Sequence, residues 1–279
     1  MRLTLTQVSQ YEADGYLVLE NFVSHEACDR LRSRAMELVE GFEPETLASI
    51  FSTREQNRLT DNYFLESGDK IRFFFEEDAF LPDGTLKQTK ERSINKIGHA
   101  LHELDPEFSL FSRATSIREL IDDLAIKDPL LLQSMYIFKQ PRIGGEVSCH
   151  QDSSFLYTEP FDIVGLWFAL EDSTLENGCL WAIPGGHKMG LKSRWVRDGK
   201  GGMKFEVFDA QPWQEETLVP LEVKKGTLII LHGLVPHKSL ANRSARSRHA
   251  YTLHVISGDC SCPESNWLQR PSDNPLRGF

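Results

Sequence analysis

Long apolar runs are missing from this 279-residue chain. None approaches the ~18 residues that a membrane-spanning helix needs, and the first residues hold no apolar stretch of about 7–15 residues of the kind a secretory leader requires. Cysteine is scarce and odd in number. The five residues at 28, 149, 179, 260 and 262 form no even disulfide framework and suit free thiols in a reducing compartment. Cys260 and Cys262 have no second pair at metal-ligand spacing, so they read as two free thiols in one loop. The last residues, Leu-Arg-Gly-Phe, are not the Ser-Lys-Leu peroxisomal address. A cytoplasmic protein without a membrane partner is the expectation. Positive charge is also in short supply. Lys and Arg total 31 against 41 Asp and Glu, a formal charge of −10, which argues against a nucleic-acid or anionic-membrane surface. No Pro-rich, Ser-rich or like-charged block separates two halves and no repeat is visible, so one domain over 1–279 is expected. Its 40% apolar residues suffice for a sizeable core.

Helical signals come first along the chain. Residues 6–13 fit a short helix stopped by Gly15, and Tyr16–Leu19 a strand. Ser24 fits the N-cap of a helix running to about Glu40, with Cys28, Leu31, Ala35 and Leu38 on one face and Gly41 beyond its end. Residues 42–70 are polar and irregular and read as loop and broken helix, and Ile71–Phe75 as a buried strand. The spacing of Ile94, Ile97, Leu101 and Leu104 predicts a helix capped by Ser93, with His99 and His102 on its polar face and Lys96 in solvent. Ser116-Ile117-Arg118-Glu119 has the spacing of a capping box for another helix, ended by Asp128-Pro129.

From about residue 131 the texture turns to β. Strands are expected over 131–139, 162–170, 179–183, 217–223, 227–232 and 248–256, with Gly199-Lys200-Gly201-Gly202 as a mobile loop between them. Helices followed by many strands predict a mainly β fold, a barrel or sandwich over about 131–260 buttressed by helices in about 1–130.

The chemistry-bearing stretch is Gly144-Gly145-Glu146-Val147-Ser148-Cys149-His150-Gln151-Asp152. In extended chain, residues i and i+2 share a face. His150 and Asp152 then present an imidazole and a carboxylate together, with Gln151 turned away. That is two-thirds of the 2-His-1-carboxylate set that holds non-haem Fe(II) with positions left open. For the third ligand, His232 closes an apolar strand, and His237 follows a Gly-Leu-Val-Pro bend able to carry it over to the pair. Spacing alone leaves both in play. Arg246 and Arg248 share a face of the next strand, where an inward guanidinium requires an anion. Trp167 reads as core packing, and His187 as a turn histidine.

Together these residues resemble the phytanoyl-CoA dioxygenase family of Fe(II)/2-oxoglutarate oxygenases. The resemblance is carried by His150-Gln151-Asp152, by Asn177-Gly178-Cys179-Leu180 leading to Pro184-Gly185-Gly186-His187, and by His237 with Arg248 eleven residues later. Asp14–Phe22 and the segments 67–75, 93–102 and 133–141 extend it over nearly the whole chain. Gly186 stands where the family often has serine. The resemblance implies a double-stranded β-helix (a jelly roll, cupin-like) with His150, Asp152 and His237 as iron ligands. It further implies that Arg248, helped by Ser239, holds the far carboxylate of 2-oxoglutarate, and that Lys96, Met135, Gln151 and Trp167 line the co-substrate pocket. The expected reaction consumes O2 and 2-oxoglutarate, releases succinate and CO2, and oxidises a small molecule that need not be an acyl-CoA. The rival expectation is a non-catalytic β-barrel that binds a metal or small ligand.

Overall fold

A computed structural model describes residues 2–44, 50–51 and 62–279. Most of the stretch 42–70 expected to be irregular lies outside the described residues. Helix α1 (Leu5–Asp14) starts at a reciprocal Thr4–Gln7 capping box and ends at Gly15, whose φ of 77° is the left-handed value that glycine adopts without cost. Strand β1 (Tyr16–Leu19) follows, then α2 (His25–Glu40), capped by Ser24 onto the Ala27 N–H. Helix α2 buries Cys28, Leu31, Ala35 and Val39. After β2 (Ile50–Phe51) and α3 (Asn62–Leu65) come β3 (Ile71–Glu76), β4 (Ile94–His99) and three short helices: α4 (Leu101–Leu104), α5 (Pro106–Ser112) and α6 (Thr115–Asp123).

Two of these elements correct the sequence reading. Residues 94–99 are strand, not helix. Ile94 and Ile97 match a helical spacing by coincidence; β4 is paired at both edges, by β3 and by β5 (Leu130–Ile137), and all six residues are buried because Ile94 and Ile97 lie in the core while Asn95, Lys96 and His99 face an interior cavity. A strand covered on both faces shows no alternation to betray it. His99 and His102 are therefore interior residues, and Lys96 is 4% exposed instead of solvated. The other correction is at α6, which starts from Ala114 without a side-chain cap, so Ser116 lies inside the helix and makes no capping box.

The remaining strands are β6 (Val147–His150), β7 (Ile163–Ala169), β8 (Leu180–Ala182), β9 (Ser193–Arg197), β10 (Met203–Val207), β11 (Val219–Leu221), β12 (Leu228–His232), β13 (His237–Ser239) and β14 (Ala250–Ile256). The major sheet runs β1-β12-β7-β14-β5-β4-β3-β2, and the minor sheet β11-β8-β13-β6. β9 and β10 pair with each other, joined through the glycine-rich residues 199–202. Among the described residues neither sheet closes on itself, so the architecture is a two-sheet jelly roll and not a closed barrel.

The alternation of the central strands fixes the site. In β7, Val164, Leu166 and Phe168 join the core under the helices, whereas Trp167 and Ala169 pack with Leu180, Ala182 and Leu221 of the minor sheet. In β14, Tyr251, Leu253 and Val255 belong to the helix side. The other parity, Arg248, Thr252 and His254, lines a cavity between the sheets.

Candidate functional site

The cavity has a volume of about 680 Å³, within the range typical of small-molecule sites. At one end the minor sheet sets two histidines opposite each other, their rings tilted by 51°. His237 opens β13 and is the direct antiparallel partner of His150, which closes β6. Their ring centroids are 4.3 Å apart. The chain then turns in a short 3-10 helix over Asp152–Ser154. This turn swings the Asp152 Oδ1 to 3.7 Å from the Nε2 of both His150 and His237. One ligand atom from each of the three residues lies within 4.8 Å of the others.

Both rings are oriented by one device. The Nδ1–H of His150 donates to the Ser148 carbonyl at 2.8 Å, and that of His237 to the Val235 carbonyl at 3.1 Å. Each bond reaches two residues back along the same chain. A carbonyl only accepts, so the proton sits on Nδ1 and the Nε2 lone pair faces the common centre. Burial on its own would raise the Asp152 carboxyl, but His237, His254 and His150 together hold it well below the usual carboxylate range. Two neutral nitrogens and one anionic oxygen converge there, a donor set that fits Fe(II).

His232, left in play by spacing, sits elsewhere. Its Nδ1 accepts from the Leu234 N–H, its ring is 5.0 Å from that of His187, and burial, then His187, pushes it down to about 4. Gln151 is turned away as the strand geometry predicts, which removes it from the pocket lining that the resemblance implied. Its amide is fully used. Nε2 donates to the Gly190 and Leu234 carbonyls and Oε1 accepts from the Lys192 N–H.

The opposite feature of the cavity is buried positive charge. Arg248 is 1% exposed, lies with its guanidinium 5.2 Å from the Trp167 ring centre, and donates through Nε to the Gly178 carbonyl. Its Nη1 is buried with no hydrogen-bond partner among the described residues. Burial lowers this group to about 10, opposed by Cys179, Glu76 and Glu171, which leaves it charged at neutral pH. Beside it, the Lys139 Nζ donates to the Gly145 carbonyl and, at 2.9 Å, to Ser239 Oγ. Glu76 is wholly buried and accepts from Asn95 Nδ2 at 2.8 Å and the Gly145 N–H at 3.0 Å. Burial shifts this pair toward neutrality, raising Glu76 and lowering Lys139, the latter pressed further by Arg248. A buried guanidinium with an unused donor can receive a carboxylate.

Of the remaining expected residues, Met135, Trp167 and Lys96 all line the cavity. The Lys96 Nζ lies 3.7 Å from Met135 Sδ and about 5 Å above the Phe64 and Phe74 rings, at 5.1 and 5.2 Å. Arg246, by contrast, is a surface residue paired with Glu176. Sequence reasoning missed Lys139, Glu76 and His254. For Lys139 a signal existed: a lysine at the end of an apolar strand shares the parity of Met135. His254 in β14 shares the parity of Arg248, which lies two residues ahead of that strand.

Comparison with known proteins follows the same lines. The family model for phytanoyl-CoA dioxygenase (PhyH) matches residues 11–250. A phytanoyl-CoA dioxygenase of Arabidopsis thaliana is 51% identical over 269 residues, covering 96% of this chain and 94% of the relative. Phytanoyl-CoA dioxygenase domain-containing protein 1 of Bos taurus is 46% identical over 284 residues, covering 98% and 97%. Among solved structures, the non-haem alpha-ketoglutarate-dependent carbocyclase SnoK from nogalamycin biosynthesis superposes with a TM-score of 0.66 at 16% identity, covering 99% of this chain and 97% of SnoK. EctD from S. alaskensis, solved with 2-oxoglutarate and 5-hydroxyectoine, gives 0.64 at 17% identity, covering 96% and 84%. At these identities the structural likeness establishes the jelly-roll fold.

Proposed function

The chain belongs to the phytanoyl-CoA dioxygenase family, and from that premise we propose that it is an Fe(II)- and 2-oxoglutarate-dependent dioxygenase that oxidises a small molecule. The observation that carries this reading is one cavity holding both a convergent His150–Asp152–His237 donor set and a buried guanidinium with a free Nη1. EctD, solved with 2-oxoglutarate and 5-hydroxyectoine, and the SnoN epimerase, solved with Fe3+, alpha ketoglutarate and nogalamycin RO, support pairing these two groups.

His150, Asp152 and His237 would hold the metal through three donors, leaving room for a chelating keto acid and O2. Bound iron with 2-oxoglutarate supplies oxidative activation of O2, with succinate and CO2 as the products of the co-substrate. The residues of this chain bind, orient and shield. Arg248 takes the far carboxylate in a charge-assisted bond, and the Ser239 hydroxyl, accepting from Lys139, has its own proton free for that carboxylate. Trp167 closes the cavity beside Arg248. Lys96 and Met135 form its floor. The aromatic wall of Phe155, Trp195, Phe205, Trp213 and Trp267 receives the apolar body of the substrate and excludes water from the reacting centre. Asp152 supplies a carboxylate donor to the proposed metal, so no protein position is vacated for a halide and oxidation without chlorination is the expected reaction. No general base is required and none is assigned, and no residue is assigned to CoA.

Purified protein supplied with Fe(II), 2-oxoglutarate and O2 should release succinate, faster when a substrate is added. Succinate no higher than in a metal-free control, with iron demonstrably bound, would instead identify a metal-binding module.

A further inference from the structure

The two oxygens of Asp152 do different work. Oδ1 is equidistant, at 3.7 Å, from the two inward histidine nitrogens. Oδ2 points the other way, toward the major sheet, and lies 3.3 Å from the Nε2 of His254. His254 is 5% exposed, and its other nitrogen, Nδ1, has no hydrogen-bond partner among the described residues. A buried imidazole without partners is costly, so the contact with Asp152 is the polar bond that accounts for a histidine in this strand. A carboxylate oxygen only accepts, which places the proton on Nε2.

A second observation comes from the neighbouring strand. His254 of β14 is the register partner of Gly165 of β7. A Cβ at Gly165 would stand 3.0 Å from Asp152 Oδ2 and 3.7 Å from the His254 ring. Glycine is therefore what lets the carboxylate lie down on the sheet within reach of His254. Cross-strand partners of the major sheet thus form a cradle for a ligand carried by the loop after the minor sheet.

We infer that the Gly165–His254 pair is a positioning device that holds Asp152 Oδ2 away from the metal, so that the carboxylate binds through Oδ1 alone and one coordination position stays open. The inference rests on the proposed iron site. A carboxylate released from His254 would be free to rotate, which costs the donor its fixed orientation and so weakens metal binding, and lets the second oxygen compete for a position needed by co-substrate or O2. His254 acts through Asp152 and touches no reacting atom.

The test uses the whole protein in metal-free form, titrated anaerobically with Fe(II) and, separately, with Co(II), whose visible absorption reports coordination number. Neither titration includes 2-oxoglutarate. His254→Leu is expected to weaken Fe(II) binding by about 10- to 100-fold, the usual effect of removing a partner that orients a ligand, and to alter the Co(II) spectrum. His254→Gln, which keeps a side-chain N–H, should recover most of the affinity and the native spectrum. Gly165→Ala should weaken the metal in the same direction while His254 is intact. Native Fe(II) affinity and an unchanged Co(II) spectrum in His254→Leu would overturn the inference, as would equal losses in the Leu and Gln variants. Should His254→Leu fail to fold, Gly165→Ala decides, and native affinity there refutes the cradle. Native protein that binds no Fe(II) would refute the iron site itself, a separate failure.

Discussion

The metal end of the cavity and its anion end are built in opposite ways. The metal end is local. His150 and His237 are each aimed by a carbonyl two residues back along the chain, and Asp152 follows His150 in a short 3-10 turn. The anion end is assembled from afar. Glu76, Asn95, Lys139, Ser239 and Arg248 come from separate strands and loops, spread from residue 76 to residue 248, and meet only in the folded state. A metal centre needs lone pairs fixed in direction, which short backbone-bonded motifs supply. A carboxylate receptor needs desolvated positive charge, which only a surrounding core can create.

The largest expected effect breaks the metal end alone. His237→Ala should abolish Fe(II) binding and turnover, measured as iron content after reconstitution, while His232→Ala keeps its iron and alters mainly stability. The reverse order would move the third ligand to His232. Next comes the anion end. Removing one member of a buried, hydrogen-bonded charge pair costs about 2–5 kcal/mol, and ~1.4 kcal/mol is tenfold in affinity. Arg248→Ala should therefore weaken 2-oxoglutarate binding by roughly 30-fold or more with Fe(II) affinity little changed. Arg248→Lys should recover part of this, because an ammonium cannot make the two-pronged bond. Arg246→Ala should be near neutral, since that side chain is 66% exposed.

How far each end was legible follows from the same contrast. The His-x-Asp pair and its strand parity could be read from nine contiguous letters. Choosing His237 over His232 needed the family resemblance, because a bend after an apolar strand does not fix direction. Choosing Arg248 over Arg246 also needed the resemblance, and although strand parity marked Lys139, its meeting with Glu76 and Arg248 was not readable because that proximity depends on β-sheet register. Residues 94–99 were misread as helix because doubly covered strands lose their period of two. His254 carried no motif at all. Its role appears only once Gly165 is seen opposite it.

Smaller effects separate scaffold from site. Gln151 sits between two ligands but spends its amide on the loops at Gly190, Lys192 and Leu234. Gln151→Ala should keep its iron and lose about 1–3 kcal/mol of stability from the unpaired groups, read by denaturant unfolding. Acidification probes the scaffold further. His102 and His232 are held down to about 3 and about 4, chiefly by burial, from the usual 6.5. Both stay neutral in the fold while the unfolded chain takes up protons below about pH 6.5. Stability is thus fully present above that value and falls as the pH drops toward 4, by at most ~1.4 kcal/mol per pH unit for each group. Unfolding midpoints of metal-free protein at pH 7.5 and 5.5 should show this fall, and a rise would contradict the buried neutral state.

The separability of the two ends is tested most directly by following the iron–2-oxoglutarate charge-transfer absorbance in an anaerobic titration of native, Arg248→Ala and Asp152→Ala proteins with saturating Fe(II). The account predicts the band in native protein, the same band displaced to roughly 30-fold higher 2-oxoglutarate in Arg248→Ala, and no band in Asp152→Ala. A native-like band in Asp152→Ala, or an unshifted titration in Arg248→Ala, would contradict it.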